Sequence, residues 1–226
     1  MVHGAVDRAA GMIRVARNIS EKVVVRYDRR GYGRSDPDSQ PTSFEQHVED
    51  LERVINGVPS IVFGHSYGGS IALAAASRGQ QPIRGVVSYE APRGWEEWWP
   101  LPPGADIDPG DAAEHFVRRM VGEERWRALP ERSRERLRSQ GTLMVHELHT
   151  QLKRRYVIGD ISVPVYAGVG ELSGPHAHRA AELTVTEAKN GTLVRIAQAR
   201  HDAPMTHAPV IAATIRNAAD QGSRTY

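Results

Sequence analysis

The chain has 226 residues, no cysteine, 29 Lys and Arg against 27 Asp and Glu, and a net charge of +2. That length can bury a core without a staple, and the lack of cysteine excludes disulfides, thiolate nucleophiles and cysteine-ligated zinc while being compatible with a reducing cytoplasm. With no long basic block, no apolar stretch near the roughly 20 residues of a membrane span and no signal-peptide pattern at Met1-Val2-His3-Gly4, neither nucleic acid nor membrane is an expected partner, and the expected location is the cytoplasm.

Ala9, Met12, Ile13, Ala16 and Ile19 recur at helical spacing and predict an amphipathic helix over 7–19. Val23-Val24-Val25 suits a short buried strand over 22–27. The stretch Asp28-Arg29-Arg30-Gly31-Tyr32-Gly33-Arg34-Ser35-Asp36-Pro37 is rich in turn formers. Phe44, Val48, Leu51 and Ile55 share one helical face behind Ser43, which forms a capping-box pattern with Gln46. Strands are predicted at 60–63, 85–89, 163–169 and 192–196. Helices are predicted from the alanine-rich 71–76, at 178–188, and at 209–219 with Pro209 in the first turn.

This alternation predicts an α/β fold with a mostly parallel sheet flanked by helices, in a single domain over 1–226. Residues 92–159 differ in character. They begin with the Trp- and Pro-rich stretch Trp95-Glu96-Glu97-Trp98-Trp99-Pro100 and continue as short helices at 112–120, 123–129, 131–139 and 143–156. An insertion over 93–159, above the strand ends, is expected to be a helical lid. Its tryptophans would line an apolar pocket or pack the lid onto the body. The alternating charges of 131–138 suit a solvated helix face.

Gly64-His65-Ser66-Tyr67-Gly68 lies between a predicted strand and an apolar helix. A Gly-x-Ser-x-Gly run in that place forms a sharp turn that exposes the serine hydroxyl above the sheet. Ser66 is therefore the expected nucleophile, and the Tyr67 N–H one expected oxyanion donor. His201, after the last strand and before the last helix, is the expected base. His65 is expected to pack or hydrogen-bond beneath the elbow, and Asp202 to cap its loop. His47, His115, His146, His149, His176, His178 and His207 are less well placed. His3-Gly4 suggests an oxyanion loop whose second donor is the N–H of Ala5 or Val6.

Taken together, these pieces resemble the α/β-hydrolase superfamily: His3-Gly4, Tyr27 through Asp36, Gly64 through Gly69, and His201 before the terminal helix. The Asp-Arg-Arg-Gly-Tyr-Gly-Arg-Ser piece is a frequent signature of the family that connects a strand to a helix, with no assigned catalytic role. The resemblance implies a Ser-His-acid triad and leaves two candidates for the acid. Glu171, in Gly168-Val169-Gly170-Glu171, occupies the place after the post-lid strand with glutamate for the usual aspartate. Glu90, in Tyr89-Glu90-Ala91-Pro92, occupies the place used in a bacterial subset. Either would hold the imidazole's tautomer and stabilise the imidazolium. The family's sheet begins with strands before His-Gly, and only Met1-Val2 precede it here, so the chain is expected to be an N-terminally truncated form that lacks two to three strands; the rival reading is that the polypeptide as written folds poorly or is inactive.

The expected activity is cofactor-independent and metal-independent hydrolysis of an ester or similar activated carbonyl in a small-molecule substrate. Alternatives are non-hydrolytic chemistry on the same triad, such as a lyase step or a cofactor-free peroxidase-like activity, and a non-catalytic ligand-binding member of the fold.

Overall fold

The computed structural model describes residues 1–35 and 41–224, so Asp36 and Pro37 of the turn-rich stretch lie outside it. A 3₁₀ turn, Ala9–Met12, leads into α1 (Ile13–Arg17). The helix expected over 7–19 is shorter at both ends, and Asp28 Oδ1 accepts from the Ala9 N–H at 2.6 Å where the 3₁₀ turn begins. Residues 22–27 form no strand, which corrects the sequence expectation. The neighbouring segment makes one parallel bridge, Val2 to Gly64, and meets 22–27 through the Met1 amino group on Val25 O at 2.8 Å, too little among the described residues to form a ladder. Val23 is accordingly 96% exposed rather than buried.

α2 (Phe44–Ile55) starts at the expected capping box: Ser43 Oγ accepts from the Gln46 N–H, and Gln46 Oε1 accepts from the Ser43 N–H. Then come β1 (Ser60–His65), α3 (Tyr67–Arg78) and β2 (Ile83–Tyr89). Four helices follow: α4 (Pro109–Val121), α5 (Glu123–Ala128), α6 (Glu131–Ser139) and α7 (Gly141–Thr150). The last is shorter than expected, because the chain turns down to bury Tyr156 against Phe44 and Trp95. β3 (Val165–Gly170), α8 (Pro175–Glu187), β4 (Gly191–Ile196), α9 (Ala203–Thr206) and α10 (Ala208–Arg224) complete the order. β3 starts after Pro164, which has no N–H to give the ladder; its carbonyl accepts from the Val86 N–H at 2.9 Å.

The described strands form one sheet in the order β1-β2-β3-β4, every pair parallel. Alternation divides its side chains between two cores. Val62, Val86 and Val165 pack with α2 and α3 on one face, while Phe63, Val87 and Tyr166 pack with α1 and α10 on the other. Both faces are covered, as a parallel sheet requires. The carboxyl ends of β1, β2 and β3 are thereby brought side by side, with His65 opposite Tyr89 and Tyr89 opposite Gly168. That edge is where a ligand site is expected in such a sheet. Among the described residues, no helix is long and apolar enough to cross a membrane.

Candidate active site

Ser66 sits between β1 and α3 with φ +53° and ψ −124°, a conformation that strains any residue with a Cβ. The elbow is held by main chain: the Ser66 N–H donates to Tyr89 O at 2.8 Å, and the Gly69 N–H to Ser66 O at 2.7 Å. Glycine is required beside it. A Cβ on Gly64 would overlap the Gly68 carbonyl, and one on Gly68 would overlap the carbonyls of Val2 and His3. The segment before Ala5 thus lies directly against the elbow. A Cβ on Gly4 would come within 3.1 Å of Ser66 Cβ. Among the described residues, no hydrogen bond takes up the N–H of Ala5 or of Tyr67, the two expected oxyanion donors.

Glu90 follows β2 directly and has φ +48°, a second strained residue at the same edge. Its N–H donates to Gly168 O at 2.9 Å, which fixes where the side chain starts. Its carboxylate then receives three donors: His201 Nδ1–H at 2.7 Å on Oε2, and the Gly170 N–H at 2.9 Å and Ser173 Oγ–H at 2.5 Å on Oε1. Burial works against the charge, but these bonds outweigh it and hold the carboxyl down at about 2. An ionised Glu90 keeps the proton on Nδ1 of His201 and leaves Nε2 free to act as a base.

The loop carrying His201 is braced from below. Tyr89 Oη donates to Arg200 O at 2.8 Å, and His65 Nε2–H to His201 O at 2.9 Å. The His65 ring lies 4.6 Å from that of His201. Burial, reinforced by the neighbouring imidazole, pushes His65 down to about 3, so it stays a neutral donor beneath the site, as expected for it. Glu171 lies elsewhere: its Oε2 accepts from the Gln198 N–H at 2.9 Å and from Gln198 Nε2 at 3.3 Å. Among the described residues no hydrogen bond joins Glu171 to His201, and Nδ1 is already engaged by Glu90. Of the two candidate acids, the fold therefore brings Glu90 to the imidazole and uses Glu171 to fasten the loop.

Asp202 differs from the expectation. Its side chain caps nothing; it forms an ion pair with Arg125 of α5, because the insertion descends onto this loop. A cavity of about 770 Å³ opens above the edge. Ser66, Tyr67, Glu90, His201 and Ala5 line its floor, and Trp99, Leu101, Phe116, Met120 and Leu148 line its apolar wall. Of the three tryptophans near the start of the insertion, Trp99 faces this space. Trp95 packs edge-on against Tyr156, and Trp98 sits beside Trp99 under the Arg179 guanidinium. His115 and His176 also line the cavity, whereas His47 is buried beside Glu147.

Sequence reasoning missed Arg29 and Glu147, which form a buried ion pair behind the His3-Gly4 segment.

The family model described as the alpha/beta hydrolase family matches residues 1–214. The proline iminopeptidase of Saccharolobus solfataricus is 37% identical over 70 residues, a stretch that covers 28% of this chain and 23% of that protein. Among solved structures, an alpha/beta hydrolase from Sphaerobacter thermophilus superposes with a TM-score of 0.75 at 25% identity, over 94% of this chain and 90% of that one. A lipase-esterase related protein from Clostridium acetobutylicum gives a TM-score of 0.74 at 18% identity, over 96% and 91%, a likeness of fold.

Proposed function

This chain belongs to the alpha/beta hydrolase family, and on that premise we propose that it is a serine hydrolase acting on an ester or similarly activated carbonyl. Ser66 Oγ attacks the carbonyl carbon while His201 Nε2 accepts its proton. Negative charge gathers on the carbonyl oxygen and is received by the N–H groups of Tyr67 and Ala5. Glu90 orients the imidazole and stabilises the imidazolium. His201 then protonates the departing alcohol. Water, deprotonated by His201, attacks the acyl carbon, and as the acyl–Oγ bond breaks His201 returns that proton to Ser66 and the acid leaves.

One observation carries this reading: Glu90 Oε2 lies 2.7 Å from His201 Nδ1 at the edge of the cavity that a strained Ser66 also lines. Residues 93–159 act as the lid. Their apolar wall supports a small-molecule substrate with an apolar acyl or aromatic group. A fluorophosphonate probe tests the assignment directly. The expected result is one covalent adduct, mapped by mass spectrometry to Ser66. Folded protein that stays unlabelled there overturns it.

A further inference from the structure

Arg29 and Glu147 are among the most deeply buried charges of the described residues, 1% and 3% exposed. Arg29 donates through Nη1 to Glu147 Oε1 at 2.5 Å and through Nη2 to Oε2 at 3.2 Å. Tyr32 Oη donates to Oε2 at 3.0 Å, and His47 Nε2 lies 3.5 Å from Oε1. The guanidinium carbon stands 4.8 Å from the centre of the Tyr32 ring and 4.9 Å from that of Tyr67. Desolvation of such a pair offsets most or all of its attraction, so stability alone is a weak reason for it.

The remaining donors of Arg29 show what the pair does. Nε donates to His3 O at 3.0 Å and Nη2 to Gly4 O at 2.9 Å. The Arg29 N–H donates to His3 Nε2 at 2.9 Å, and His3 Nδ1–H closes onto Gly4 O at 2.8 Å. One residue thus grips two successive carbonyls and the imidazole of the segment that ends at Ala5. Glu147 carries the other end of the grip to α7. The same helix reaches the second oxyanion donor, because Thr150 Oγ1 and Tyr67 Oη are 3.0 Å apart.

We propose that Arg29 and Glu147 are positioning residues of the oxyanion hole: they aim the Ala5 N–H at Ser66 and tie that aim to the seating of α7. This rests on the serine-hydrolase reading above. An insertion helix that lifts would release the hole along with the cavity wall, so carbonyl activation and lid closure are one event.

Three proteins decide it: wild type, Arg29→Met/Glu147→Leu, which replaces the pair with apolar side chains of similar volume, and Arg29→Lys, which keeps the charge but cannot span two carbonyls. Each is assayed on 4-nitrophenyl butyrate, by thermal unfolding, and by hydrogen–deuterium exchange of the peptide covering residues 1–8. The expected result is kcat lower by about 10- to 100-fold in both variants with KM within about threefold, together with faster exchange in that peptide. Unchanged kcat, a change confined to KM, or unchanged exchange in a folded variant overturns the proposal. Should the double variant fail to fold, Arg29→Lys alone carries the same outcomes. If the fluorophosphonate leaves wild-type Ser66 unlabelled, the hydrolase reading falls and this proposal with it; if Ser66 is labelled and the variants turn over normally, only the positioning role falls.

Discussion

The two walls of the cavity are held by different means. On the sheet side the main chain fixes the functional residues: Ser66 N–H to Tyr89 O, Glu90 N–H to Gly168 O, and Gly170 N–H to the Glu90 carboxylate. On the insertion side the ties that reach the body run through side chains and include Arg125 to Asp202, Glu147 to Arg29, Thr150 to Tyr67, Arg155 to Glu45, and the Ser77 hydroxyl to the main chain of Val157. Main-chain bonds between packed strands leave little play. Long side chains allow alternative geometries. The sheet edge is thus built to hold reacting atoms, and the insertion to shape the space above them. Substitutions on the first wall are expected to change kcat, and those on the second to change KM and substrate range, except at the Arg29–Glu147 tie, which reaches the segment before Ala5 and is expected to change kcat.

The largest effect should come from the sheet edge. Glu90→Gln is expected to lower kcat by roughly 10³-fold, because an amide no longer stabilises the imidazolium. Glu171→Gln, which loosens only the Gln198 contact, is expected to cost less than about tenfold. Steady-state kinetics on one activated ester compares them, and the reverse order would reassign the acid to Glu171.

Acid stability probes both walls together. Glu90 and Glu147 are each held down at about 2 from a usual 4.5; burial opposes their charge, and their partners outweigh it. A carboxyl depressed in the folded state stabilises the fold above its unfolded pKa and loses that contribution as pH falls through the folded one. Urea midpoints should therefore drop between about pH 4.5 and 2. The drop should be shallower in Arg29→Met/Glu147→Leu, which has lost one of the two carboxylates; equal slopes would show that the buried pair contributes nothing in that window.

Smaller effects belong to the insertion. Trp99→Ala should raise KM several-fold for a hexanoyl ester while changing kcat for the acetyl ester by less than about threefold. A matching loss on both esters would place Trp99 in the fold rather than in acyl recognition. Arg125→Ala should lower the melting temperature by no more than about 3 °C, since Arg125 is 57% exposed. A fall of ten degrees would mark that tether as structural.

Much of the body was legible in the sequence for physical reasons. β1 to β4 are short apolar runs, and the turn at Ser66 is announced by glycines at the two places where any Cβ would strike backbone. Residues 22–27 were misread because β-branched composition says only that a segment suits a strand; whether a ladder meets it is a tertiary fact. The acid was ambiguous because Glu90 and Glu171 both follow strand ends. What separates them is the left-handed backbone at Glu90 and the hydrogen bonds from Gln198, neither of which has a sequence signature. The Arg29–Glu147 pair joins residues 118 apart, beyond the reach of any local pattern.

The bracing under His201 has a kinetic meaning. With the carbonyls of Arg200 and His201 bonded to Tyr89 and His65, the loop's main chain is already placed, and Glu90 takes up the two torsions left to the imidazole. In the proposed mechanism the base therefore gives up its conformational freedom once, when the chain folds, and not again at every turnover.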